Sequence, residues 1–247
     1  MKRALLVVLL LSSPLAAADY ERVMLPIAPM SMDCNYDSHY DVTLTIYNAG
    51  DRAVARPCGD VSCGEVAAKG AIAVTSSPMP KPMPAYIYLP KDEAGQLQLA
   101  LQTESGTANR DPEQRFFTEL PIVRDSDFKT GKTEFVDVRI DPHWRQSLRL
   151  YGFNGREATD ITMRVFSMTT GALLAEEVFR LWPVASANEM GFDAAPSFAM
   201  ECDLSEDTEL IGQIVRIELE PVKSDTRYWS FLSVTNNRTQ HFYTRMP

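Results

Sequence analysis

An all-β fold is what this sequence predicts, and three features predict it. Apolar and polar residues alternate over many short runs, turn residues separate those runs at intervals of about ten residues, and no long segment carries an apolar stripe at helical spacing. Alternation sends successive side chains to opposite faces of an extended chain, so one face can enter a core while the other meets water. Many short strands of this kind close into a sandwich or a barrel.

The first clear strand is residues 40–47, where Val42, Leu44 and Ile46 share one face and the threonines the other. Asn48-Ala49-Gly50-Asp51 ends it with turn residues. The same alternation returns with Leu97, Leu99 and Leu101, again with Ile161, Met163 and Val165, and again with Val215, Ile217 and Leu219. Thr169-Thr170-Gly171 reads as a hairpin turn between strands at 159–167 and 173–181. Residues 172–181 score weakly as an amphipathic helix, but Val178-Phe179 and the preceding turn favour a strand. Residues 228–234, Tyr-Trp-Ser-Phe-Leu-Ser-Val, carry large residues on both faces, which suits a strand covered on both sides.

Two segments punctuate the chain. Pro78, Pro80, Pro82 and Pro84 lack ladder donors, so residues 76–84 are expected to be an extended loop or an edge. Residues 107–114 are the best linker, which sets an N-terminal sandwich at 19–115 and a C-terminal one at 116–247. A third loop, 185–196, is expected to connect strands within the second unit.

Residues 1–18 have the pattern of a secretory signal peptide. Lys2 and Arg3 precede the apolar run from Ala4 to Leu11, and Ala16-Ala17-Ala18 closes it, with cleavage expected before Asp19. That run is too short for a hydrocarbon core of roughly 30 Å, and no other stretch approaches the length of a membrane span. The mature protein is therefore expected to be secreted or periplasmic. The leader holds two of the 24 basic residues and none of the 33 acidic ones, so the formal charge goes from −9 to −11 on its removal. Such a surface repels phosphate backbones and anionic membranes, which argues against nucleic acid as a partner.

An exported chain can keep disulfides, and four cysteines, Cys34, Cys58, Cys63 and Cys202, follow the leader. Four allow three connectivities. Cys58 and Cys63 stand in a small polar loop with Gly59 and Gly64, where a local bridge fits, leaving Cys34 and Cys202 as a long-range pair or as two buried thiols. Zinc ligand pairs use similar spacings, but the compartment favours disulfides over metal.

No signature of catalysis is present: no Gly-x-Ser-x-Gly, no His-Glu-x-x-His, no phosphate-cradling or dinucleotide loop. His39, His143 and His241 are the only three histidines, and each reads as a loop or strand-surface residue. No catalytic or cofactor-binding residue is assigned, and no cofactor is expected. Asp125-Ser126-Asp127 and the acidic run 203–209 offer the oxygen ligands calcium uses, yet acidic loops are ordinary on so acidic a chain. Met30, Met32, Met79 and Met83 offer soft sulfur for Cu(I), but methionine is also a common core filler. Asn237-Arg238-Thr239 matches the glycosylation pattern, but Asn236-Asn237-Arg238 reads better as a hairpin turn, where asparagine tolerates a positive φ. Tyr228, Trp229, Phe231, Phe242 and Tyr243 would make a sugar-stacking platform on an open face, but their setting favours a core, Trp229 and Phe231 above all.

Two stretches carry a resemblance. One runs from Glu119-Leu120-Pro121-Ile122-Val123-Arg124 through Asp127-Phe128 to Leu148-Arg149-Leu150-Tyr151. The other is Trp229-Ser230-Phe231-Leu232-Ser233-Val234-Thr235-Asn236-Asn237-Arg238-Thr239-Gln240-His241. Together they resemble uncharacterised secreted bacterial proteins built of immunoglobulin-like β-sandwich repeats. The resemblance covers the C-terminal half and implies a fold and a compartment. It carries over no functional residue. The expectation is two tandem immunoglobulin-like β-sandwiches, with one larger β-sandwich as the alternative.

The function expected is that of an exported, non-enzymatic module that binds or adheres to a protein, a glycan or an envelope component, its oligomeric state left open. An exported structural or assembly component comes next, then an unrecognised hydrolase or a periplasmic copper carrier. Structure separates these. An exposed aromatic row favours binding, a long unpaired edge strand favours assembly by strand addition, and polar side chains converging in a deep pocket favour an enzyme.

Overall fold

The computed structural model describes residues 20–34, 38–54, 64–75, 84–107, 115–153, 157–183 and 196–247. The expected leader, Cys58 and Cys63, Met79 and Met83, most of the proline segment, most of the linker and the 185–196 loop lie outside the described residues. The chain is all-β, as its alternation predicts. The first half holds β1 (Tyr20–Leu25), β2 (Met30–Cys34), β3 (Ser38–Asn48), β4 (Ala71–Val74), β5 (Ala85–Pro90), β6 (Leu97–Thr107), β7 (Phe116–Leu120) and β8 (Val123–Arg124). The second holds β9 (Thr133–Arg139), β10 (Trp144–Phe153), β11 (Thr159–Ser167), β12 (Leu173–Pro183), β13 (Pro196–Asp203), β14 (Ile214–Pro221), β15 (Arg227–Asn236) and β16 (Phe242–Arg245). Among the described residues no helix is long and apolar enough to cross a membrane.

Among the described residues three antiparallel sheets result. β5-β1-β8 is a small sheet, and β2-β3-β6-β7, with β4 also on β3, is a second. The third runs β16-β15-β10-β13-β12-β11-β14-β9. It folds over on itself at the step from β13 to β12, where, among the described residues, only Trp182–Phe198 and Pro183–Ser197 are paired. Its two ends meet again: Arg245 on β16 donates to the carbonyls of Asp137 and Val136 on β9 at 3.0 and 2.6 Å.

Two hydrophobic cores follow from the strand patterns. Val42, Leu44, Ile46, Leu97 and Leu101 join β1 and β5 in the first. Ile161, Met163, Val165, Val215, Ile217 and Leu219 fill the second, inside the folded sheet. β10 and β15 form the wall between them. Leu148, Leu150, Tyr228, Leu232 and Val234 point into the second core, while Tyr151, Phe153, Trp229 and Phe231 point into the first. This explains why residues 228–234 are apolar on both faces: each face of the strand belongs to a different core.

Polar ties hold the wall in place. Tyr228 Oη donates to the Leu219 carbonyl at 2.8 Å and pairs with Thr133 Oγ1 at 2.7 Å, reaching β14 and β9 across the second core. Tyr151 Oη donates to the Pro26 carbonyl at 2.9 Å on the other side. Arg22, almost wholly buried, binds Asp125 through Nε at 3.2 Å and Nη2 at 3.0 Å. The Phe153 ring takes the Arg22 guanidinium at 5.1 Å and that of Arg227 at 4.5 Å. A buried guanidinium is tolerable only with such compensation.

Turns are built as expected, with one difference. Gly171, at φ 73°, completes the β11–β12 hairpin. In the β15–β16 hairpin the left-handed residue is Gln240, at φ 60°, and neither asparagine has a positive φ. The Asn236 side chain takes another role: its Oδ1 accepts from the backbone N–H of Arg238 at 3.0 Å and of Thr239 at 2.9 Å. That is an Asx turn, which spends the side chain on the backbone instead of on an unusual φ.

Candidate functional site

The β15–β16 hairpin and the turn ahead of β10 place an aromatic row on the surface. Asn237 ties the two together, its N–H donating to the His143 carbonyl at 2.9 Å and its Nδ2 to the Pro142 carbonyl at 3.2 Å. Asp141 Oδ1 accepts from the His143 N–H at 2.7 Å, and its carbonyl accepts from the Trp144 N–H at 2.9 Å. Trp144 thus starts β10 in a fixed position, opposite Asn236 of β15, with its ring within 6.3 Å of that of Tyr243 on β16. Along β16 alternation buries Phe242 and leaves Tyr243 40 % exposed. Phe116, the first residue of β7, approaches from the neighbouring sheet, where Thr118 Oγ1 donates to the Phe242 carbonyl at 2.5 Å.

The rings run Phe116, His241, Tyr243, Trp144. Their centroids are 4.9, 6.5 and 6.3 Å apart in that order, and their planes are tilted or edge-on to one another. None is fully buried: His241 and Tyr243 are exposed, Phe116 and Trp144 half-buried. Rings in tilted or edge-on contact are not stacked face on face, so their faces are not covered by one another. Such a row offers apolar, polarisable faces to a ligand that is itself partly apolar and partly polar.

Of the aromatic set read from the sequence, only Tyr243 reaches this surface. Trp229 and Phe231 are core residues, packed with Tyr151 at 5.5 and 6.3 Å. Tyr228 and Phe242 are buried as well. Phe116, Trp144 and His241 come from three separate segments, and no local pattern marks them as neighbours.

The three histidines have separate surroundings. His39 is buried, with Nε2 3.1 Å from Asp41 Oδ2. It lines a shallow notch with Glu104 and Arg115, themselves paired at 2.6 Å, and the notch has room for little more than a water molecule. His143 lies in the turn before β10, and His241 belongs to the aromatic row.

The acidic loops are tied up locally. Asp125 holds Arg22, Asp127 Oδ2 accepts from the Arg124 N–H at 2.7 Å, and Asp203 Oδ1 accepts from the Ser205 N–H at 3.0 Å. Among the described residues no group of three His, Cys, Asp or Glu side chains is placed to hold a metal ion. Met30 is a core residue. Cys34 is in β2 and Cys202 in β13, where Cys202 is the register partner of Leu148 on β10.

Charge is concentrated on the outer face of β14 and β9. Glu218 binds Lys132 at 3.0 Å and Arg216, and Arg216 also binds Glu134 at 3.0 Å. The hydrogen bonds from Lys132 and Arg216 hold the Glu218 carboxyl below the ordinary carboxylate value. This network ties β14 to β9 and to Lys132 just ahead of it. Comparison with family models, curated proteins and solved structures finds no match for this chain.

Proposed function

We propose that this chain is an exported, non-enzymatic binding module that holds a carbohydrate against the row Phe116, His241, Tyr243 and Trp144. One observation carries the reading: four rings drawn from three segments meet in tilted or edge-on contacts, and all four remain at least partly exposed. The C–H face of a pyranose is apolar and suits an aromatic face, while its hydroxyls need polar groups at the rim. Arg238 and Thr239, exposed in the adjoining turn, supply them. Aromatic anchors inside a polar rim are the usual composition of recognition surfaces. A formal charge of −9 disfavours an acidic glycan and favours a neutral one. The leader-like N-terminus and the resemblance of the C-terminal half to secreted sandwich proteins support export.

Affinity electrophoresis through gels carrying soluble polysaccharides tests this. The mature protein is expected to be retarded by at least one neutral glycan. Tyr243→Ala and Trp144→Ala variants with wild-type circular dichroism are expected to lose the retardation. Equal retardation of variant and wild type, or none in any gel, would overturn the reading.

A second reading, an exported assembly component, is favoured by a different observation: along most of β12 one strand edge has no described partner.

A further inference from the structure

We infer that two copies of this chain pair through β12, edge to edge and antiparallel, with Val178 on the two-fold axis. The inference stands apart from the carbohydrate reading and uses none of the residues of the aromatic row.

β12 pairs with β11 on one side, from Leu181 opposite Thr159 to Leu173 opposite Phe166. On its other side it meets β13 only at Trp182 and Pro183. Among the described residues nothing else pairs with that second edge, so the N–H and C=O groups directed there have no ladder partner among them. Proteins usually guard such an edge. The β9 end of the same sheet is guarded: β9 carries a bulge opposite Arg216, with Asp137 at φ 54°, and Arg245 binds the bulged carbonyls. Among the described residues β12 has no such cover along its middle, and it exposes Val178 by 56 % and Trp182 by 63 % on one face.

The usable part of this edge has definite limits. At its start the β11 register shifts, so that Val165 faces Ala175 while Phe166 faces Leu173, and Leu174 is the extra residue of a bulge. At its end Trp182 is taken by Phe198. The regular, open run is therefore 175–181, and its midpoint is Val178.

Charge selects the same register. In an antiparallel pair centred on Val178, Glu176 of each copy lies opposite Arg180 of the other, and Val178 lies opposite itself. All three are exposed and share the outer face. Moving the register by two residues brings Glu176 opposite either Val178 or Trp182 and removes both ion pairs. Within one chain Glu176 is 3.5 Å from Arg164, while Arg180 is 3.9 Å from Asp160 and 5.0 Å over the Trp182 ring. Two opposite-charge pairs flanking an apolar pair are favourable cross-strand neighbours, and like charges there are unfavourable. Geometry and charge thus give one register independently.

Sedimentation of the mature protein at micromolar concentration tests the pairing. The wild type is expected to be a reversible dimer that weakens as salt is raised. Glu176→Arg and Arg180→Glu each turn two attractive pairs into two repulsive ones, and each is expected to raise the dissociation constant about tenfold or more. Mixing the two variants restores both attractive pairs, so a heterodimer is expected from two chains that are separately monomeric. A misfolded variant could not give that rescue. A wild type that stays monomeric, a dimer indifferent to either reversal, or variants that fail to rescue each other would overturn the pairing.

Discussion

Tyr228 and Trp229 are adjacent in the chain and lie in different hydrophobic cores. The Tyr228 ring enters the folded eight-stranded sheet and hydrogen-bonds the Leu219 carbonyl. The Trp229 ring enters the other core and packs against Tyr151 and Phe231. β15 is therefore a shared wall, and damage to either of its faces bears on both cores.

Loss of a wall residue is expected to destabilise the whole molecule. Phe231→Ala removes a fully buried ring and should cost about 3–5 kcal/mol, and Leu232→Ala about 2–5 kcal/mol. Both variants are expected to shift one cooperative denaturant transition, followed by far-UV circular dichroism and tryptophan fluorescence together. Separate transitions from the two probes would mean that the cores do not share the wall energetically.

Tyr228→Phe keeps the ring and removes the hydroxyl, leaving the buried Leu219 carbonyl without that donor. A loss of about 1–3 kcal/mol in denaturant titrations at neutral pH is expected. Burial raises the Tyr228 phenol above its ordinary value of 10.0. The neutral form is thus favoured in the folded chain, and stability present below the unfolded value is lost as pH rises through the folded one. The phenylalanine variant should show less of this alkaline loss than the wild type.

Glu218 should act at the acid end. Its folded value is lowered by hydrogen bonds from Lys132 and Arg216, so its contribution is present above the ordinary 4.5 and is lost as pH falls through the lowered folded value. Glu218→Gln is expected to unfold at lower temperature than the wild type at neutral pH. The difference should shrink as pH is taken below the lowered folded value, where the carboxylate is protonated in both states. A gap independent of pH would assign the effect to packing.

The fold was largely legible in the sequence because burial on one face writes itself as alternation. Val42, Leu44 and Ile46 are core residues as their spacing implies, and so are Ile161, Met163 and Val165. The two-faced strand at 228–234 was legible as doubly covered. What covers each face was not, because that depends on strands more than 70 residues away in sequence, such as β10 at Trp144–Phe153. The aromatic row was illegible for the same reason. Phe116, Trp144 and His241 meet only after two sheets have formed, and taken singly each resembles an ordinary strand or turn residue. The sequence also marked Phe242 and Tyr243 as a pair, though alternation sends one into the core and the other to the surface. Gln240 took the positive φ expected of an asparagine because Asn236 was already committed to the turn backbone.

Titrating the mature protein with a glycan that retards it, and following tryptophan fluorescence, tests the aromatic row most directly. Trp144 is half-buried in the row, Trp229 is in the core, and Trp182 is exposed on β12, away from the row residues. A saturable change is expected in the wild type and in Trp182→Phe, and its loss in Trp144→Phe. A change that survives in Trp144→Phe and disappears in Trp182→Phe would contradict the proposal and move the binding surface to β12.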